Sequence, residues 1–147
     1  MMFKEFLDRL LAPAPPILPD EDARLALTAL LVRLARSDHA YDDMERDRID
    51  RILGRRFGLD IGAVQILREQ GEALEAEAPD TVRFTRAIKD AVPYEDRIGV
   101  VESLWQVALA DGQRDDSEDA LIRLAANLLG VNDVDSAKAR QRAETQA

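Results

Sequence analysis

The chain has 147 residues, 46% of them hydrophobic and 33% charged, which suits one globular domain with its own core and argues against a disordered tract. It contains no cysteine, which excludes a disulfide framework, a thiolate metal site and a cysteine nucleophile. Its 29 acidic and 20 basic side chains leave a formal net charge of −9, a balance that repels phosphate backbones and excludes nucleic acid as an expected partner.

In chain order, Phe3, Phe6, Leu7, Leu10 and Leu11 line one face of a short amphipathic helix over 2–12. Lys4, Glu5, Asp8 and Arg9 interrupt this apolar run, as they would not in a secretory signal, and the expected location is the cytoplasm. Their charges cancel, so attraction to anionic lipid should be weak. The apolar face is expected to pack on the body of the protein or on a second copy. Ala12-Pro13-Ala14-Pro15-Pro16-Ile17-Leu18-Pro19 cannot be helical and reads as a stiff linker. Residues 1–19 are thus an appendage, and 20–147 the helical domain.

From Asp20 to about Ser37 the sequence is helical and apolar almost all round, which predicts a helix in the middle of a bundle. A helix over 43–57 should stop at Gly58, and Asp60 should cap the next, over 61–77. A helix over 81–91 places Val82, Phe84, Ile88 and Val92 on its apolar set. The stretch from Pro93-Tyr94 to about Ala110 is again apolar nearly all round, a second central helix. Helices over about 116–129 and 133–145 complete the chain, the last polar and expected to fray at its end. No alternating run suggests a strand, and no run approaches the roughly 18 apolar residues of a spanning helix. The prediction is an all-α bundle of seven to eight helices.

An internal repeat organises this bundle. At a constant offset, Ala35, Asp38, Asp42, Asp43, Glu45 and Ile49 recur as Ala108, Asp111, Asp115, Asp116, Glu118 and Ile122. In each copy an apolar helix leads into an acidic turn and an amphipathic helix leaves it. Shared helicity alone does not place four acids in register, so the pattern reads as a duplication of a helix–acidic turn–helix unit, about 22–58 and about 95–130.

The acidic turns admit two readings. Asp42 and Asp115 are placed as N-caps with Glu45 and Glu118 three residues on, a capping-box arrangement, and Asp43 and Asp116 then fall where the helix dipole favours an acid. Asp38 and Asp111 do not fit that scheme, because each lies at a helix C-terminus, where an anion is disfavoured by about 0.3–1 kcal/mol. A divalent cation (calcium, magnesium or manganese) held by Asp38, Asp42, Asp43 and Glu45, and by Asp111, Asp115, Asp116 and Glu118, would turn that repulsion into ligation by hard oxygens. A true EF-hand is excluded: its first and third positions would be Val107 and Leu109, or Leu34 and Arg36. His39, the single histidine, reads either as a solvated turn residue or as a ligand beside Asp38 and Asp42.

Catalytic and nucleotide motifs are missing. There is no HExxH, no Gly-x-Ser-x-Gly elbow, no phosphate-binding glycine loop, and no sign of a substrate pocket. Arg46, Arg48, Arg51, Arg55 and Arg56 crowd the 43–57 helix among Asp43, Glu45, Asp47 and Asp50, which predicts a solvated face laced by i,i+4 salt bridges, the alternative being a dock for an acidic partner. Trp105 and Phe84 should be core.

An Ala-x-x-Asp-Gly-x-x-x-x-x-Glu turn between helices, present twice, resembles the TerB-like domain associated with bacterial tellurite resistance. Phe84-Thr85-Arg86, Tyr94-Glu95-Asp96-Arg97 and Leu104-Trp105-Gln106-Val107-Ala108 look like the uncharacterised stand-alone branch of that family, over about residues 22–135. The resemblance implies a helical bundle of seven or more helices, a link to tellurite resistance and stress response, a metal-chelating role for the eight acids named above, and no catalysis. The first copy departs from the pattern at His39, where the second has Gly112. The expected function is therefore a non-catalytic accessory protein with a protein partner, its acidic turns either cation sites or, in a purely scaffolding module, helix caps.

Overall fold

The computed structural model describes residues 20–37, 41–77, 81–109 and 116–146. The predicted 2–12 helix, the proline linker, His39, and the acids Asp38, Asp111 and Asp115 lie outside the described residues. Seven α-helices run through the rest, with no strand among the described residues: α1 Asp20–Arg36, α2 Asp43–Phe57, α3 Ile61–Glu77, α4 Thr81–Ala91, α5 Tyr94–Ala108, α6 Asp116–Leu128 and α7 Asp133–Gln146.

The helix ends follow from local chemistry. Asp60 Oδ1 accepts from the Ala63 amide at 2.8 Å, and Asn132 Oδ1 accepts from the Asp135 amide at 2.8 Å, so α3 and α7 each start on a side-chain cap. Gly58 (φ 63°) and Gly130 (φ 74°) take the left-handed conformation after α2 and α6. The next amides fold back, Leu59 to the Gly54 carbonyl at 3.2 Å and Val131 to the Ala126 carbonyl at 3.0 Å. These bonds satisfy carbonyls the helix leaves open.

α1 and α5 form the centre. Ala26, Ala29, Leu30, Leu31, Val32, Leu34 and Ala35 of α1 are completely buried. α1 packs chiefly on α3 and α4 and touches α2, α5 and α6 as well. Val100, Val101, Leu104, Trp105, Val107 and Ala108 of α5 are buried, as is Phe84 of α4. Val82 departs from its expected place in the apolar set of α4: it is exposed, and Thr85 and Ala87 join Phe84 and Ile88 in facing the core. The closing helix, expected to be polar and to fray at its end, is anchored by apolar contacts. Ala139 and Ala143 of α7 are fully buried, α7 packs extensively on α5, and Arg142 pairs with Glu102 at 2.6 Å, so the helix continues to Gln146. Two alanines four residues apart offer a narrow apolar stripe, enough for close approach but faint in composition.

The contact between α1 and α3 is tighter still. Gly71 of α3 is buried against Thr28 of α1, and a Cβ added there would overlap Thr28 Cγ2 and lie 2.9 Å from Thr28 Cβ. The buried Thr28 hydroxyl donates to the Arg24 carbonyl at 2.8 Å, so it brings no unsatisfied polar atom into the seam. Alanine at position 71 would gain about 1 kcal/mol of helix propensity but must push the two helices apart at a buried contact. Gly71→Ala should therefore destabilise the protein by a net 1–3 kcal/mol or so in denaturant unfolding; a neutral or stabilising result would show that the helices do not pack this closely.

Candidate functional site: the acidic turns and the arginine face of α2

In the first repeat the capping box is complete. Asp42 is the N-cap of α2 (φ −97°, ψ 178°), its Oδ1 accepts from the Glu45 amide at 3.0 Å, and the Asp42 amide donates to Glu45 Oε1 at 3.3 Å. Glu45 is only 2% exposed, and a carboxylate so buried needs hydrogen-bond donors. Asp43 is exposed and pairs with Arg46. In the second repeat Glu118, also 2% exposed, takes the corresponding place on α6, while Asp116 is exposed. Ile49 and Ile122, the next matching pair, are both fully buried. Of the eight acids singled out in the sequence, the structure thus brings Asp42 and Glu45 into direct contact. Among the described residues, no three His, Cys, Asp or Glu side chains gather as a metal site would require.

A polar clamp beside this turn was not foreseen from the sequence. The Tyr41 hydroxyl donates to Glu72 Oε2 of α3 at 2.6 Å, and the Arg36 and Arg46 guanidiniums lie over its ring at 5.3 and 5.4 Å. Arg68 bridges Glu72 (3.2 Å) and Asp50 (2.6 Å), joining α3 to α2. Arg33 and Arg36 both reach Glu75, at 3.2 and 2.7 Å. Tyr41, two residues before α2, is therefore tied to α3 with two guanidiniums against its ring. The one signal in the chain is Glu72 and Glu75 at i,i+3 on the 61–77 helix, which marks a charged stripe without saying what it meets.

The same clamp corrects the expected salt-bridge lattice on α2. Among the described residues none of the expected i,i+4 pairs forms along that helix; the pair that does form, Asp43 with Arg46, is at i,i+3. Asp50 turns to Arg68, and Glu45 serves the cap. Among the described residues, Asp47 has no ion pair, and Arg48, Arg51, Arg55 and Arg56 are paired with no carboxylate. Arg48 Nη1 donates to the Gln106 carbonyl at 3.4 Å, and Arg56 Nη2 to the Asp96 carbonyl at 2.9 Å. These four arginines, with Ile52, Glu102, Ser103 and Gln106, line a groove of about 300 Å³ between α2 and α5. A larger cavity of about 580 Å³ adjoins it, sharing Arg56 and floored by Leu27, Phe57, Ile88 and Val100.

Two outcomes follow from the turn's geometry. Asp42→Ala should cost about 0.5–2 kcal/mol in equilibrium unfolding, whether or not divalent cations are present, because it removes a cap; no loss would deny the box its role. The Tyr41 phenol, for its part, is pushed well above its ordinary value of 10.0, first by burial and then by the bond to Glu72 and its charge. A raised folded-state pKa means that this contact's stability is intact below the ordinary value and is lost as pH rises above it. Stability measured from about pH 9 to 12 should therefore fall more steeply for the wild type than for Tyr41→Phe; parallel curves would show that the phenol is not so held.

Comparison with known proteins agrees with the architecture. A family model described as tellurite resistance protein TerB matches residues 24–141, from the first turns of α1 into α7. No curated protein and no solved structure gives a significant match. With most of its length and all seven described helices inside the match or overlapping it, the chain belongs to the TerB family.

Proposed function

We propose that this TerB-family chain is a non-catalytic accessory protein of tellurite resistance or stress response, acting in the cytoplasm by binding a protein partner, with its acidic turns serving as helix caps. The observation that carries this reading is the capping box itself. Asp42 and Glu45, two of the acids that a first cation site would need, already hold backbone amides at 3.0 and 3.3 Å. A cation there would have to compete with the helix start. Membership of the family supports the link to tellurite resistance. Consistent with the location, no described helix is long and apolar enough to cross a membrane.

A second reading keeps a divalent cation, calcium, magnesium or manganese, at the second turn. It is favoured by the first turn of α6, which carries Asp116, Glu118 and Asp119 together, and by Gly112, where the first copy has His39. Clustered carboxylates repel one another, and a bound cation would relieve that repulsion. The ligands would be Asp111, Asp115, Asp116 and Glu118, with Asp38, Asp42, Asp43 and Glu45 the weaker set.

Melting curves in chelator and in millimolar calcium, magnesium or manganese separate the readings. Under the capping account the wild type shows no cation-dependent shift beyond that of matched ionic strength, and Asp111→Asn is neutral or stabilising by up to about 1 kcal/mol in every medium. Asp115→Ala then costs about 0.5–2 kcal/mol throughout. A wild-type melting temperature that climbs with one cation as mass action requires, and a climb that Asp111→Asn blunts, would replace the capping account with the cation site.

A further inference from the structure

The groove between α2 and α5 is at odds with the rest of this molecule. The chain carries a net charge of −9, yet Arg48, Arg51, Arg55 and Arg56 converge on one groove; Asp47 is exposed and does not line it, and the other acids near them in sequence are engaged elsewhere. Asp43 pairs with Arg46, Asp50 with Arg68, and Glu102, the one carboxylate lining the groove, lies 2.6 Å from Arg142 of α7. Arg51 and Arg55 are exposed. Arg56 is half-buried and lies across Gly99 of α5, where a Cβ would come within 3.0 Å of its Nη1. Burial pushes its guanidinium below the ordinary value, and the charges of Asp96 and Glu102 offset this only in part. A charge drawn into a groove with no carboxylate bonded to it is stabilised by any anion that arrives.

The spacing narrows the choice of anion. Arg48, Arg51 and Arg55 stand at i, i+3 and i+7 on α2, one row about 10 Å long at 1.5 Å rise per residue. An extended peptide puts every second side chain on the same side, about 6.6–6.8 Å apart, so two or three alternate acids span that row. The groove is too small for a folded surface but has room for a few side chains.

We propose that this groove is the docking site for an extended, carboxylate-rich segment of a partner protein, gripped by Arg48, Arg51 and Arg55 along the α2 row and by Arg56 where the groove deepens over Gly99. This deepens the partner-binding reading above by assigning a surface and a ligand chemistry. It is independent of the acidic turns, so its failure would leave the outcome of the cation titrations unchanged.

The test titrates the full chain with a fluorescent octaglutamate peptide in EDTA, following anisotropy together with amide chemical shifts. The expected result is saturable binding that weakens steeply as salt rises from about 0.05 to 0.5 M, with shift changes confined to α2 and the facing part of α5. Arg51→Gln/Arg55→Gln should lower the affinity about tenfold or more, and since both side chains are exposed its melting temperature should match the wild type. Gly99→Ala, which displaces Arg56, should weaken binding while Arg51 and Arg55 stay in place. Three results would overturn the proposal: no shift change at α2 with folded protein at millimolar peptide, affinity unchanged in the double variant, or inorganic phosphate displacing the peptide at equal charge concentration. The last would make the groove a site for compact oxyanions rather than for an acidic segment.

Discussion

Burial of α1 on nearly every side is the constraint from which the rest follows. A helix with seven completely buried apolar residues can meet water along its middle only at a narrow strip such as Arg33, so other helices must close around it. Each large aliphatic side chain removed from water contributes about 1.5–3 kcal/mol, enough that no arrangement leaving α1 at the surface competes. Closing that shell forces two close approaches. α3 comes near enough at Gly71 for a methyl group to collide with Thr28, and α7 lays Ala139 and Ala143 against the second central helix, α5. With the interior taken up by hydrocarbon, chemistry is left to the turns and outer faces.

α2 shows how this divides the charges. Its N-terminus faces the acidic turn and uses carboxylates to satisfy the open amides of its first turn. One turn further along, Asp50 is drawn off the helix by Arg68, which is itself held by Glu72, the acceptor of the Tyr41 hydroxyl. Every carboxylate engaged by the clamp or the cap is one fewer to neutralise the arginines on the far side. The capping box and the arginine groove thus lie on different parts of the helix, and the clamp engages one acid, Asp50, that the arginines would otherwise have beside them.

Much of the fold was legible in the sequence because its signals are local. Asp60, Gly58 and Gly130 place helix ends through bonds made within a few residues, and the all-round apolar character of 20–37 and 94–110 marks the centre without knowledge of any partner. What could not be read depends on contacts between distant residues. Gly71 looks like a weak point in a helix until Thr28 is set against it. Ala139 and Ala143 carry too little surface to stand out in a polar segment. The i,i+4 rule paired the α2 acids with their helical neighbours, but an arginine on another helix sat closer to Asp50. At the candidate site, the capping pair Asp42–Glu45 was legible for the same reason as the helix ends, whereas the Tyr41 clamp joins residues 31 positions apart, and the Glu72/Glu75 stripe does not say what it meets.

Native-state hydrogen exchange tests the central claim, that the structure closes around α1, most directly. The account predicts that amides in the middle of α1, from Leu30 to Leu34, exchange only through global unfolding, with the full unfolding free energy and full denaturant dependence, and that those of α5 from Val101 to Leu104 do the same. Amides in the first turn of α2 should open earlier. If the middle of α1 instead exchanged through a smaller opening, while α2 or α7 stayed protected to the global limit, the centre of the bundle would lie elsewhere and the account would be contradicted.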